Sequence, residues 1–377
     1  MSKRRTAFVA VFFFLMLLAS VLTFAMPAKA FSENENRVLA SAPKLSFKNI
    51  KSGKFQEDLS DFLSDQVPLR EAWIKVNTDL KKCAGKREIN GVYLADDKYY
   101  VQKFTDESYS RSSMLSVFSM INEFADENKD SFKTTVMLAP TPGTVLKDRL
   151  PFDAPFYDDS RVFGAAEQMI PAAKFVDLRK TLINASDKKD SQLYYRTDHH
   201  WTGDGAALAY KKFAKSQGFK PSEYTLEKVT DEFYGTTYSK ILDTSAKPDS
   251  IYAPKIDRKL KVVYGDGKKV NSLYDKSALN KKDKYEYFFG GNFDKVTINT
   301  GVKNDKRILL IKDSFANSFV PFIVNDYSKI VMVDLRFFDG DLRELCKEED
   351  ITDVLFLYEA SNLLTDKGIL KLANSID

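Results

Sequence analysis

The chain has 377 residues, of which 44% are hydrophobic and 29% charged, and a formal net charge of +4. All of that excess sits in Lys3, Arg4, Arg5 and Lys29, so the remaining body is formally neutral, has no long cationic run, and is not expected to bind nucleic acid. Two distant cysteines, Cys83 and Cys346, exclude a disulfide framework and a cysteine-based metal site; they read as two small buried apolar residues, with a single long-range bridge as the other option.

Residues 1–30 combine a basic start, an apolar run of about 20 residues and the small-residue pattern Ala28-Lys29-Ala30, the composition of a signal peptide or membrane anchor. The protein is therefore expected outside the cytoplasm, secreted or anchored at the cell envelope. Residues 31–54 are polar and broken by Pro43 and Gly53, which suits an extended arm. Apolar residues at helical spacing (Phe55, Leu59, Phe62, Leu63, then Leu69, Trp73, Ile74, Val76) predict two helices on either side of Pro68.

"GVYLADDKYYVQKF" predicts a hairpin around Asp96-Asp97, followed by an amphipathic helix over "SSMLSVFSMINEFADEN". "FKTTVMLAP" then reads as a strand that runs into the turn "TPGT", and "AAKFVDL" as another short strand. Thr202 is a candidate N-cap and Gly218 a stop for a helix over "GAALAYKKFAKSQG". From 219 to 300 short β-prone pieces predominate, read as a β-rich insertion or subdomain between the two parts, 55–218 and 301–377, of one domain. The last part alternates strand and helix ("RILLIK", "DSFANSFVPFIVND", "KIVMVDL", "DGDLRELCKEED", "DVLFLYE"), a βαβαβ run that predicts a parallel sheet with helices on its faces.

In such sheets reactive groups collect at the carboxyl ends of strands. Ser314 follows the strand "RILLIK" and opens a helix, where its backbone N–H would face an oxyanion. A serine needs a base held by an acid, and the two histidines of the chain stand together in Asp198-His199-His200-Trp201. If this stretch is extended, Asp198 and His200 share one face and His199 points away, which selects His200 as base and Asp198 as its orienting acid. Each piece has a plainer reading: Ser314 as a helix cap, the histidines as a structural pair, Trp201 as a core aromatic. The Asp-His-His cluster has no ligand at i+4 and no cysteine nearby, so neither a metal nor another cofactor is expected.

With Asp198-His199-His200-Trp201 upstream and "IKDSF" downstream, the sequence resembles the DHHW family and, more widely, is similar to the SGNH-hydrolase-like periplasmic proteins of alginate O-acetylation. The segments "GVYLADDKYY", "FYGTTYSK" and "DSFANSF" take part in the likeness. The resemblance implies an SGNH-hydrolase-like α/β/α sandwich with a mainly parallel sheet and a β-rich insertion. It implies acetyl transfer to a cell-envelope polysaccharide, commonly beside a membrane-bound O-acyltransferase, with Ser314 as nucleophile, His200 as base and Asp198 as acid. Lys312 stands where the usual Gly-Asp-Ser block has glycine. Backbone amides around Gly143 and the Asn317 side chain are the candidate oxyanion donors, with Trp201 and His199 as further neighbours of the substrate. A carbohydrate esterase or deacetylase with the same triad, and a non-catalytic glycan-binding or scaffold protein, are the competing expectations.

Overall fold

The computed structural model describes residues 3–188 and 191–376. The chain divides into two compact units, Met1–Asn90 with Tyr238–Ala246, and Gly91–Thr237 with Lys247–Asp377.

The first unit begins with helix α1 (Lys3–Ala25), within which Arg5–Ala25 is long and apolar enough to cross a membrane, a test that a signal sequence also passes. The two helices expected around Pro68 form as α2 (Lys54–Gln66) and α3 (Arg70–Cys83). The polar arm before them is held by charge pairing: Glu35 receives Arg70 at 2.9 Å, and Asp65 receives Arg37 at 2.9 Å and the Ala40 amide at 2.8 Å. From α3, Thr78 donates to the Ile241 carbonyl and Lys82 reaches the Asp243 carboxylate at 2.6 Å, which explains why 238–246 joins this unit. Both cysteines are free, and Cys83 is exposed rather than buried, whereas Cys346 is buried as expected.

The second unit opens with the predicted hairpin, β1 (Val92–Leu94) paired antiparallel with β2 (Tyr100–Gln102), turning through Asp97 and Lys98 at positive φ. Helix α4 (Arg111–Glu127) leads into β3 (Lys133–Ala139) and β4 (Lys174–Asp177). Helix α5 (Gly203–Ser216) starts at the expected cap, the Thr202 hydroxyl accepting the Gly205 amide, and Gly218 follows at φ 77°. A separate antiparallel pair, β5 (Leu226–Phe233) and β6 (Asp249–Pro254), precedes β7 (Lys261–Tyr264), β8 (Lys269–Val270) and β9 (Lys295–Asn299). The chain then runs β10 (Arg307–Lys312), α6 (Phe315–Ile323), β11 (Lys329–Val333), α7 (Leu342–Glu348) and β12 (Asp353–Glu359).

Among the described residues, eight of these strands form the central sheet in the order β8-β7-β9-β11-β10-β12-β3-β4. The pairs from β11 to β4 are parallel, and β9, β7 and β8 extend the sheet antiparallel beyond β11. Three short strands of the segment 219–300, β7, β8 and β9, extend the main sheet, Val296 pairing with Met332 and Ile298 with Ile330, while β5 and β6 pair apart from it. The alternating polar and apolar residues of β7, β8 and β9 form antiparallel edge strands, which can leave one face partly wet, whereas β10 to β12 are buried on both faces and read as continuous apolar runs.

Period-two alternation sorts the sheet's side chains into two cores. Ile308, Leu310, Leu355 and Leu357 pack on one face with Tyr210 and Phe213 of α5 and Phe319 of α6. Leu309, Ile311, Val354 and Phe356 pack on the other with Phe118 and Ile121 of α4 and Leu345 of α7. Each such buried aliphatic contributes about 1.5–3 kcal/mol relative to exposure. The fold is thus an α/β sandwich with a mixed, mainly parallel sheet, and β10, β11, β12, β3 and β4 all end at the same edge.

Candidate active site

Ser314 lies one residue beyond Asp313 at the carboxyl end of β10, where the chain turns into α6. The capping of that helix falls to Asp313: its Oδ1 accepts the Phe315 amide at 2.9 Å, and its Oδ2 accepts the Glu359 amide at 2.9 Å and Asn362 Nδ2 at 2.8 Å. Ser314 takes a helical conformation (φ −66°, ψ −17°) and its side chain makes no capping bond. Its hydroxyl instead lies 2.7 Å from His200 Nε2. The plainer reading of this serine as a helix cap does not hold.

Asp198, His199 and His200 belong to a bent loop closed by a bridge between Tyr194 and Trp201 and by the bond from the Tyr195 amide to the His200 carbonyl at 3.1 Å. The extended conformation expected from period-two reasoning is not present. The loop folds back, so that Asp198 Oδ1 accepts both the His200 amide (2.9 Å) and His200 Nδ1 (2.5 Å). His199 does not point away: its ring centroid is 3.9 Å from that of His200, and its Nδ1 lies 2.7 Å from Thr236 Oγ1. An ionised carboxylate only accepts, so the proton on the Asp198 side belongs to His200 Nδ1, and Nε2 accepts the Ser314 hydroxyl.

Asp198 is 2% exposed. Burial alone would push its carboxyl upward, but the two imidazoles and the hydrogen bonds from His200 and Thr236 outweigh it and hold the group well below the usual carboxylate range. Its Oδ2 accepts the Thr236 amide at 2.7 Å and the Thr236 hydroxyl at 2.9 Å. The preceding residue must be glycine, because a Cβ on Gly235 would stand 2.3 Å from that same oxygen.

Aromatic residues pack around the His200 imidazole. Tyr285 stacks on His200 at 3.9 Å and 11°, and Phe315 lies tilted at 5.0 Å. The Tyr285 hydroxyl donates to Ser318 Oγ at 3.0 Å, which also accepts Trp201 Nε1 at 2.9 Å. Trp201 is fully buried and acts as a core aromatic beneath the site.

The candidate oxyanion donors fare differently. Asn317 is hydrogen-bonded within a polar network: its Oδ1 accepts Lys312 Nζ at 2.9 Å, and its Nδ2 donates one of its two hydrogens to Asn292 at 3.1 Å. Lys312, in the usual glycine position, is buried with Nζ 3.7 Å from the Asp334 carboxylate; desolvation pulls its ammonium down to about 8 against that attraction. Gly143 follows β3, which β12 separates from β10, and it lines a cavity of about 50 Å³ together with His199, Glu359, Ser361 and Asn362. Glu359 is buried there and accepts Ser361 Oγ at 2.6 Å and the Asn362 amide at 2.9 Å. Desolvation dominates these bonds and raises its carboxyl to about 8.

One ligand atom each from Asp198, His199 and His200 lies within 4.8 Å of the others, the compactness a metal would need. Asp198 and the Nδ1 atoms of both histidines are already bonded to one another or to Thr236, so an ion held through them would have to displace those bonds. The arrangement suits proton transfer from the serine hydroxyl. Sequence reasoning misses Gly235, Thr236, Tyr285 and Glu359; Gly235 and Thr236 lie in "FYGTTYSK", which takes part in the resemblance, but nothing local ties that segment to Asp198.

Residues 179–333 match the model of the DHHW protein family, a span that contains both Asp198 and Ser314. No curated protein matches the chain. Among solved structures, a DHHW family protein from Eubacterium siraeum is similar at 24% identity and a TM-score of 0.65, over 77% of this chain and 97% of that one. PatB1 from Bacillus cereus, solved with a sulfonyl adduct, is similar at 21% identity and a TM-score of 0.61, over 74% and 99%. The O-acetyltransferase domain of Pseudomonas putida AlgJ aligns at 16% identity and a TM-score of 0.49, over 76% and 99%. At these identities the likeness is one of fold.

Proposed function

We propose that the protein is an exported O-acetyltransferase that acts on a cell-envelope polysaccharide through an acetyl-serine intermediate. The observation that carries this reading is the continuous chain from Ser314 Oγ to His200 Nε2 (2.7 Å) and from His200 Nδ1 to Asp198 (2.5 Å). In the first half-reaction Ser314 Oγ attacks the acetyl carbonyl of a donor while His200 Nε2 takes the serine proton and passes it to the leaving group. In the second, a sugar hydroxyl attacks acetyl-Ser314, giving its proton to His200, which returns it to Ser314 Oγ as the serine leaves. Asp198 keeps the imidazole in the required tautomer and stabilises its protonated form.

The apolar N-terminal helix supports an extracytoplasmic site of action, as signal or anchor, and a membrane-bound O-acyltransferase is the partner that would supply acetyl groups there. A scaffold protein has no need of a serine held on a buried imidazole. An esterase would use the same groups with water as acceptor. Incubation with an aryl acetate should place an acetyl group on Ser314, found by peptide mass spectrometry, and an aryl sulfonyl fluoride should label the same residue. Neither adduct should form in Ser314→Ala. Undiminished turnover in Ser314→Ala or in His200→Ala overturns the proposal, and acetate release unaffected by added glycan favours the esterase.

A further inference from the structure

Helix α3 is amphipathic in the reverse sense. Its covered side is polar: Thr78 is fully buried and donates to the Ile241 carbonyl, and Lys82 reaches the Asp243 carboxylate. Its apolar side chains lie outward: Trp73, Val76 and Leu80, with Leu69 just before the first turn, are all between 49% and 76% exposed. At about 100° per residue these four positions fall within about 60° of one another, and Thr78 falls on the opposite side. A helix on a water-facing surface turns such a stripe inward; an exposed stripe marks a face that meets something apolar.

A second exposed apolar set carries positive charge. From Asn36 to Gln56 the chain has no Asp or Glu, whereas Lys44, Lys48, Lys51 and Lys54 recur at intervals of three or four. Lys54 pairs with Asp58 at 3.1 Å. The short helix Phe47–Lys51 within this stretch leaves Phe47 and Ile50 exposed, as is Leu45 just before it. Apolar side chains interleaved with lysines suit the surface of an anionic bilayer.

The end of α1 ties the two sets together. Phe24 packs on Phe62 of α2 with ring centroids 6.0 Å apart. Gln66, also of α2, clasps the Lys29 backbone: it accepts the amide and donates to the carbonyl, both at 2.9 Å. Thr23 and Met26, at the end of α1, share a cavity of about 750 Å³ with Leu69, Ala72 and Lys75 at the start of α3. The helix Phe47–Lys51 is joined to α2 through Ser52 and Gly53 alone. The place where the membrane-length apolar run of α1 ends is therefore also where both apolar sets are held.

We propose that the first unit lies on the bilayer that α1 enters, with Lys44, Lys48 and Lys51 on anionic phospholipid headgroups and the Trp73, Val76 and Leu80 face of α3 at the boundary between headgroups and acyl chains. Tryptophan is favoured at that boundary because its ring is apolar and its N–H polar. The Trp73 N–H is satisfied by the Pro68 carbonyl at 3.2 Å, so the ring enters the boundary without an unpaired donor. A second copy of the chain would set lysines against lysines, whereas an anionic bilayer neutralises them.

The test reconstitutes the full-length protein into vesicles of phosphatidylcholine, alone or mixed with phosphatidylglycerol, whose acyl chains carry bromine near the headgroup end. Trp201, the other tryptophan, is fully buried, and the spectrum of Trp73→Phe supplies its share for subtraction. The expected result is a blue-shifted Trp73 emission that brominated lipid quenches, more strongly with phosphatidylglycerol than without. Lys44→Gln, Lys48→Gln and Lys51→Gln should each lower the ratio of docked to undocked protein on phosphatidylglycerol vesicles by about fivefold, the weight of one cation at an anionic surface. Added salt should act in the same direction. Val76→Glu, at an exposed position, should remove the quenching while the thermal unfolding midpoint stays at the wild-type value. Trp73 emission that brominated lipid leaves unquenched in both vesicles overturns the proposal, as does quenching indifferent to phosphatidylglycerol and salt. A blue shift that grows with protein density and ignores bromine assigns the face to a second copy of the chain and overturns it as well.

Discussion

A single methylene is enough to test how Asp198 is held. The position of Gly235 leaves no room for a Cβ, which would meet Asp198 Cβ at 2.2 Å and Oδ2 at 2.3 Å. In Gly235→Ala the carboxylate has to move off the Thr236 amide and away from His200, and with it goes the tautomer that lets Nε2 accept a proton. Where the orienting aspartate of a triad is lost, turnover falls by as much as about 10⁴-fold; we expect a loss of about 10²-fold or more in aryl acetate hydrolysis by G235A. Wild-type turnover in that variant would show that Asp198 does not orient the base. The sequence names Asp198 and His200 as partners, but it is silent on Gly235 and Thr236, because they reach the carboxylate from a segment more than thirty residues away.

Between residue and fold stands the strand–turn–helix from β10 to α6, which Asp313 holds together. Its carboxylate is buried and raised from the ordinary aspartate value, desolvation prevailing over the bonds from Asn362, Glu359 and Phe315. Truncation in Asp313→Ala leaves two backbone amides and the Asn362 amide group without their acceptor, each worth about 1–3 kcal/mol when buried and unsatisfied. We expect D313A to lose about 3 kcal/mol or more by denaturant midpoint and to label more slowly at Ser314 with a sulfonyl fluoride. An unchanged midpoint would mean that the turn is held by other contacts. The strand and helix boundaries of this element were legible because apolar period and helical spacing are local signals. The loop around 195–200 was not: period-two logic brought Asp198 and His200 together for the wrong geometric reason, since the pairing arises from a fold-back fixed by Thr236, Tyr285 and Phe315.

The whole molecule carries a stability consequence of its buried acids. Glu359 is raised from 4.5 to about 8 by burial, so it folds protonated at neutral pH while the unfolded chain ionises it. A raised folded pKa stabilises fully below the unfolded value and loses that contribution as pH rises through the folded one. Stability should therefore decline between about pH 4.5 and pH 8, by at most roughly 5 kcal/mol from this group. Glu359→Gln keeps an oxygen for Ser361 and Asn362 and removes the titration, so its melting temperature should exceed that of the wild-type protein increasingly as the pH passes from 5 to 9. Parallel melting curves for the two proteins across that range would contradict the assignment. Asp198 acts in the opposite sense: with its folded pKa lowered, it stabilises above the usual aspartate value and loses that contribution only in strong acid.

What the sequence determined by itself is what depends on neighbours along the chain: the apolar N-terminal segment, the βαβαβ run, the serine at a strand end and an Asp-x-His pair to serve it. Such features follow from periodicity and residue chemistry over a few turns or strands. Tertiary structure alone decided that three short strands of 219–300 extend the central sheet while two others pair apart from it, that Asn317 is hydrogen-bonded to Lys312 and Asn292, and that the His199 ring stands beside that of His200. Those outcomes depend on which distant segments compete for the same volume and hydrogen bonds, and no local pattern encodes that competition.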